Sequence, residues 1–441
     1  MSKNEKYLFI YFLLLPFVDL ATSLVVKFTN LSFTPGIIIK GITLIFCLVY
    51  IFFFSRSKYK KCSIIYMISI LSFGFIYLIC KNYDFSFSVY FVEAKNAFKY
   101  FYFPVTICGI LNLFDDFKIS KDVIVKIIIS NAIIYTLLLF IPYITSTGFN
   151  SYDLYWKNEG VIGWFYSANE IGAILTMLSI SIYFIMDYCD KKLILIVLPL
   201  MISLAAIGTK VSFLGLIIIT IMCITTSILS RKKKALTKSF IVFVFLCISM
   251  LFSPILSNFS SLNSNNSSEV PKININNSNK VEKEINADLK TLEDLIPVSF
   301  ITNNLRKILS SRDIFLVDNL NVYLNSNLED KLFGLGWEDR VEINYTLSKK
   351  VIEIDVADIF IHYGIIGFII YFLPLLYCFV MGIKNIKYFT NETWLSLLTF
   401  VTGLGVSLFA GHILSAPTVS IYLVLLLGLS MVTIRDKKEA R

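Results

Sequence analysis

Charge is what this chain has least of. Only 16% of its 441 residues are Asp, Glu, Lys or Arg, against roughly 25% in soluble domains. One long polar segment, 257–355, interrupts it. A chain this poor in charge cannot hydrate several soluble domains, so its length is not a domain count. Disulfides are also excluded as a framework. All eight cysteines lie in or beside apolar runs and none lies in the long polar segment. No Cys/His spacing resembles a zinc site. A small-residue cleavage site is missing after the first apolar run, Tyr7 to Val26, which is long and contains Pro16 and Asp19. That run is expected to stay as a membrane span, not to be removed as a signal peptide.

What is present is hydrophobicity, at 56% of residues and a mean hydropathy of +0.73. It comes in repeated runs of about 17 to 25 residues, each long enough to cross a bilayer as a helix. The expected fold is an all-α polytopic membrane protein, a single integral membrane domain over 1–441. Twelve transmembrane helices are expected, at 7–26, 37–54, 62–80, 89–111, 123–144, 167–186, 193–208, 211–229, 239–256, 356–381, 394–413 and 417–434. The pair 193–208 and 211–229, joined at Gly208-Thr209-Lys210, decides the topology, because fusing it inverts everything downstream. With the N-terminus inside, Arg56 to Lys61, Lys191–Lys192, Arg231 to Lys234, Lys384 and Lys387, and Arg435 to Lys438 all become cytoplasmic. The opposite short loops hold only scattered lysines such as Lys27, Lys81 and Lys157, as the positive-inside rule requires. This accounts for the net charge of +9 without nucleic acid.

Two segments then face outward. The shorter, 145–166, is aromatic, with Tyr152, Tyr155, Trp156 and Trp164 suited to the interfacial belt or to stacking on sugar rings. In the longer, 257–355, the Asn/Ser-rich part 257–282 reads as a flexible linker. Its part 295–332 has the spacing of amphipathic helices, ended by Gly334 and Gly336.

The intramembrane polar residues share one leaflet. Asp19, Lys40, Glu93, Lys95, Asn169, Glu170, Lys210, Asp358, His362 and His412 all fall in the outer part of their spans, with Lys99 near the middle. A hydrophilic cavity opening outward gives such a bias; snorkelling to the interface is the alternative, above all for Lys40 and His412. Lys95 and Lys99 stack at i, i+4, which is unfavourable for like charges unless an anion such as a pyrophosphate relieves them. An internal ion-pair network with Glu93, Glu170 and Asp19 would also do so. At the loop-to-helix junction, Asp355, Asp358 and His362 fall at i, i+3 and i+7 on one face. The Asp358–His362 pair forms either a general base or a self-satisfied contact between helices. Glu353 and Asp355 are rival bases.

Four local patterns resemble the bacterial O-antigen polymerase and O-antigen ligase superfamily, the Wzy-type integral membrane glycosyltransferases. They are Gly163-Trp164-Phe165 with Ala168-Asn169-Glu170-Ile171-Gly172; Gly208-Thr209-Lys210 with Gly215; Ser310-Ser311-Arg312-Asp313 with Gly334-Leu335-Gly336-Trp337; and Glu353-x-Asp355 with Tyr363-Gly364-Ile365-Ile366-Gly367. Their order resembles the family's, across roughly 150–380. One departure is the acidic Glu353-x-Asp355 where many ligases have His-Asn, a form more similar to polymerases.

The resemblance implies transfer of glycan from an undecaprenyl-pyrophosphate-linked oligosaccharide to a sugar hydroxyl of a lipid-linked acceptor, as in O-antigen or capsule polymerisation. It places that reaction at the outer face of the bacterial cytoplasmic membrane, with both termini cytoplasmic and without cofactor, metal or nucleotide sugar. Arg312, Lys210, Lys95 and Lys99 would hold the pyrophosphate; Glu353, Asp355, His362 or Asp358 would take the proton; Asn169, Glu170, Trp164 and Arg340 would line the substrate path. A chain-length regulator and a flippase are the implied protein partners. The alternatives are a ligase acting on a cell-envelope acceptor and, in another class, a flippase of lipid-linked sugars. A flippase calls for internal repeats and charge through the full membrane depth, neither of which is visible in the sequence.

Overall fold

The computed structural model describes all residues except 30, 32, 82–86, 155–156, 189–193, 231–232, 255–311, 338–351, 410 and 441. The fold is all-α apart from one hairpin. Its helices are α1 (Lys3–Phe28), α2 (Pro35–Val49, continued by a π-helical turn Tyr50–Phe54), α3 (Lys60–Lys81), α4 (Phe87–Asp116) and α5 (Lys121–Thr145). After the antiparallel strands β1 (Asn150–Leu154) and β2 (Lys157–Val161) come α6 (Ala168–Leu178), α7 (Ser181–Tyr188), α8 (Ile194–Ile207), α9 (Lys210–Ser230) and α10 (Lys233–Met250). The polar segment contributes α11 (Arg312–Asn325) and α12 (Leu328–Phe333). The chain closes with α13 (Asp355–Lys384), α14 (Asn391–Phe409) and α15 (Pro417–Glu439).

Local sequence sets several helix starts. Ser2 and Glu5 form a reciprocal capping box at α1, and Thr34 with Pro35 opens α2, satisfying N–H groups that no helix pairs internally. Among the described residues, ten helical spans are long and apolar enough to cross a membrane, α6 and α7 together counting as one. Two shorter apolar helices, Leu195–Ile207 and Ala235–Met250, fall where the remaining two spans are expected. This is a multi-pass membrane protein. α8 and α9 remain separate, as the sequence requires, because Gly208 adopts a φ of 73° and turns the chain between them. One expected span, 167–186, is two helices, α6 and α7, with a break at Ser179–Ile180. A β-hairpin pairs Asn150–Leu154 with Lys157–Val161 in the short segment expected to face outward.

α15 lies at the centre, buried along most of its length and packed on α4, α5, α6 and α14. Its core is aliphatic, with Tyr102, Tyr135, Tyr371 and Tyr422 as the largest fully buried side chains. Phe75 on α3, Phe240 on α10 and Phe379 on α13 point outward and are exposed, as lipid-facing side chains are.

Because the spans alternate in direction, the 28/35, 81/87, 145–168, 207/210 and 409/417 turns gather at the same end as the polar segment, here termed the loop end. The hairpin docks there, with Ser151 Oγ donating to the Ile207 carbonyl at 2.6 Å. A buried network runs inward from this end. Lys40 pairs with Asp19, Tyr135 donates to Asp19 at 2.6 Å, and Tyr422 donates to Asn131 at 3.0 Å. Lys40 is therefore neutralised inside the bundle and does not snorkel to the interface. Of the long polar segment, 257–282 and 295–311 lie outside the described residues; α11 and α12 occupy the rest of the stretch read as helical.

Candidate functional site

The junction at Glu353 is built by a turn from elsewhere in the chain. Asp355, at the first position of α13, is buried, and its carboxylate accepts four hydrogen bonds. They come from the N–H groups of His412 (3.1 Å), Ile413 (2.8 Å) and Leu414 (2.7 Å) and from Ser415 Oγ (2.6 Å). These donors are the turn between α14 and α15. Gly411 approaches so closely that an added Cβ would fall 2.2 Å from the Glu353 carbonyl oxygen. Asp355 thus acts as a clasp. Four donors occupy its two oxygens and tie the start of α13 to the 412–415 turn.

Glu353, two residues earlier, is placed differently. Its backbone takes a left-handed φ of 61°, which costs of order 1–3 kcal/mol for a non-glycine residue. Arg312, the first residue of α11, reaches its Oε2 with Nε and with a terminal guanidinium nitrogen, each at 3.2 Å. The side chains remain 14% and 28% exposed. Lys210, at the start of α9, lies within electrostatic reach of Arg312. The polar segment is held on α13 by a hydrophobic cluster of its own, with Tyr323, Ile352, Ile354 and Ile361 at its centre.

α13 itself is broken. Gly364 has non-helical dihedrals (φ 66°, ψ −172°), and the carbonyls of Ile361 and His362 instead accept from the N–H groups of Leu335 (2.8 Å) and Gly336 (3.2 Å). Non-helical backbone at membrane depth is tolerated where other protein groups satisfy it. An added Cβ at Gly364 would lie 2.4 Å from the Gly334 nitrogen, so the two Gly-containing motifs meet backbone to backbone.

His362 does not pair with the Asp358 carboxylate as its i, i+4 spacing predicts. The nearest oxygen is 3.9 Å away, and His362 Nδ1 instead bonds the Asp358 backbone carbonyl at 2.9 Å. That contact makes Nδ1 the donor and leaves the lone pair on Nε2. Asp358 is buried. Its Oδ1 accepts from Ile352 N–H at 3.2 Å, and its Oδ2 meets no hydrogen-bond partner among the described residues. The imidazole lies flat on the Trp337 indole, with ring centroids 3.8 Å apart and planes 6° apart.

On α4, Lys95 is exposed and Lys99 half-buried. Neither has a carboxylate within ion-pair distance among the described residues, although Lys99 lies within electrostatic reach of Lys95 and Glu170. Of the acidic residues in the expected internal network, Glu93 accepts from Trp337 and Tyr77, and Asp19 pairs with Lys40. Glu170 faces a cavity of about 130 Å³ that Asp19, Ser23, Ser167 and Thr418 also line. Asn169 stands beside it in the first turn of α6. Trp164 is half-buried and donates to Thr147 at 3.3 Å, which ties it to the loop end. Arg340 lies outside the described residues, as do Ser310, Ser311, Tyr155 and Trp156.

Residues 1–437 match the family described as O-antigen ligase like membrane protein. The chain belongs to that family. The match covers nearly the whole chain and supports, at the level of the family, a membrane enzyme that transfers glycan. No individual curated protein matches it. In this family member, two residues with a place at the loop end escaped sequence reasoning. Lys81 looks like an ordinary loop lysine, and Glu93 looks like one more member of the outer-leaflet set. Only their partners on the polar segment, at separations above two hundred residues, reveal what each does.

Proposed function

We propose that this protein is a polysaccharide polymerase. It transfers glycan from an undecaprenyl-pyrophosphate-linked donor to a sugar hydroxyl of a lipid-linked acceptor, at the outer face of a bacterial cytoplasmic membrane. Both termini are then cytoplasmic and the loop end external, in keeping with the distribution of lysine and arginine. The observation that carries this reading is the partly exposed Arg312–Glu353 pair at the loop-to-helix junction, with Lys210 within electrostatic reach of Arg312 and Lys95 and Lys99 on the same end of the bundle.

In this scheme Arg312 and Lys210 bind the pyrophosphate oxygens, an anion that competes with Glu353 for the guanidinium. Donor binding therefore releases the Glu353 carboxylate at the place where the reaction occurs. The acceptor hydroxyl oxygen attacks the anomeric carbon, and its proton passes to Glu353. The bond from that carbon to the pyrophosphate oxygen breaks, and its electron pair leaves with the pyrophosphate, whose charge the cations stabilise. Among the acidic candidates, Glu353 fits the base better than Asp355, because one replaceable arginine holds it where four donors hold Asp355. His362, with its lone pair on Nε2, is the second candidate.

The test is genetic and chemical. Deleting the gene should leave single repeat units on the lipid carrier in place of long chains when surface polysaccharide is run on a gel. Full-length chains retained on the carrier would point instead to a ligase. An unchanged glycan would eliminate both.

A further inference from the structure

Two buried charges on membrane helices serve the polar segment. Lys81 ends α3 with its side chain 1% exposed, and its ammonium binds the Asp330 carboxylate and the Gly334 carbonyl. Both partners lie in the stretch 328–337. Glu93 on α4, 4% exposed, accepts from the Trp337 backbone N–H at 2.7 Å and from Tyr77 at 2.9 Å. Trp337 in turn covers the His362 ring and stacks on Tyr100, centroids 5.0 Å apart. The same stretch supplies the Leu335 and Gly336 N–H groups that complete the break in α13.

From this we infer that Lys81 and Glu93 are positioning residues: they latch 328–337 onto the bundle and, through Trp337, fix the His362 imidazole. The inference rests on the transferase reading for its consequence but not for its geometry. If 328–337 lifted away, Lys81 would lose both of its polar partners among the described residues, and Glu93 would lose the Trp337 N–H. A buried charge that loses its partner is strongly disfavoured, so the two charges select one docked register for the stretch and penalise the others. α11, which carries Arg312, is joined to this stretch by Tyr323, whose hydroxyl donates to the Lys331 carbonyl at 2.7 Å. A shift of the latch therefore moves Arg312 relative to Glu353 as well as freeing His362. Displacement of a reacting group by about 1 Å costs on the order of a hundredfold in rate.

The experiment uses the full-length protein in membrane vesicles. The exposed Cys62 and Cys247 are replaced by serine, and Leu335→Cys is introduced as a reporter for a membrane-impermeant maleimide. Glu93→Gln and Lys81→Met should each raise the labelling rate by about tenfold, reflecting a buried partner removed, and should shorten the glycan at unchanged protein level. Exchanging the charges, Lys81→Asp with Asp330→Lys, should restore slow labelling and long chains. Trp337→Leu should keep labelling slow yet lose transfer, and Trp337→Phe should retain both. Labelling and chain length that stay at their starting values in Glu93→Gln and Lys81→Met would overturn the latch. Faster labelling with full-length glycan would overturn the positioning role. If Arg312→Ala leaves the glycan intact while the latch variants label faster, the latch stands and the transferase reading falls. If Arg312→Ala abolishes polymerisation and the latch variants behave as wild type, the latch falls alone.

Discussion

Two ion pairs at the same end of the molecule are built to opposite specifications. Asp19 and Lys40 sit inside the bundle, nearly inaccessible, with Tyr135 and Thr418 completing their hydrogen bonds. Arg312 and Glu353 sit at the rim, partly exposed, and Glu353 is held in a left-handed backbone conformation by the turn behind it. The first pair is closed, and its members have nowhere else to go. The second is partly open to solvent, and in the proposed scheme a competing anion opens it. In a chain that is short of charge throughout, burial and completeness of bonding, more than residue type, separate a charge that fastens the structure from one free to meet a substrate.

The largest expected effect tests the open pair. Arg312→Ala should lower glycan polymerisation by about 10²–10³-fold, the range for removing one group that stabilises transition-state charge, while protein level and thermal unfolding in detergent stay near wild type. A fully active variant would remove Arg312 from the site. Next comes the closed pair. Lys40→Met alone should destabilise the protein by about 3–5 kcal/mol, because Asp19 is left as an uncompensated buried charge. Adding Asp19→Leu should recover most of that loss, as paired hydrophobic replacements do. Calorimetry or thermal shift distinguishes this from the Arg312 result, in which activity falls and stability does not.

A smaller effect is expected for Lys95 and Lys99, which have no carboxylate within ion-pair distance among the described residues. Lys95→Gln or Lys99→Gln should weaken binding of undecaprenyl pyrophosphate several-fold. Stability should hold or rise by a few tenths of a kcal/mol, since like charges at i, i+4 repel by about 0.2–0.5 kcal/mol. Affinity unchanged in both single variants and in the double would place the pyrophosphate elsewhere. A change in stability of opposite sign to that of Lys40→Met is predicted for Glu353→Gly. Glycine adopts a φ of 61° without penalty, so unfolding should shift upward by about 1 kcal/mol as transfer is lost. A loss of stability instead would mean that the Arg312 contact outweighs the backbone strain.

The α13 region shows where reading a sequence succeeds and where it stops. The spacing of Asp355, Asp358 and His362 places them on one helical face, and α13 does begin at Asp355. Spacing says nothing about who answers them. Asp355 is claimed by the 412–415 turn, His362 by a backbone carbonyl and by Trp337, and the expected Asp358–His362 side-chain bond is not made. Gly364 is visible as a glycine in a helix, but the break becomes interpretable only with Gly334 pressed against it.

By itself the sequence determined that this chain crosses a membrane many times, where the spans fall, and which polar residues share one end. Those properties depend on the length of apolar runs and on periodicity along the chain, which are local. The tertiary structure decided which charges are fasteners and which remain available. That depends on partners brought from distant spans: Asp19 with Lys40, Lys81 with Asp330, Glu93 with Trp337. In a low-dielectric interior a charge is defined by the neighbour that compensates it, and no pattern within a single helix names that neighbour.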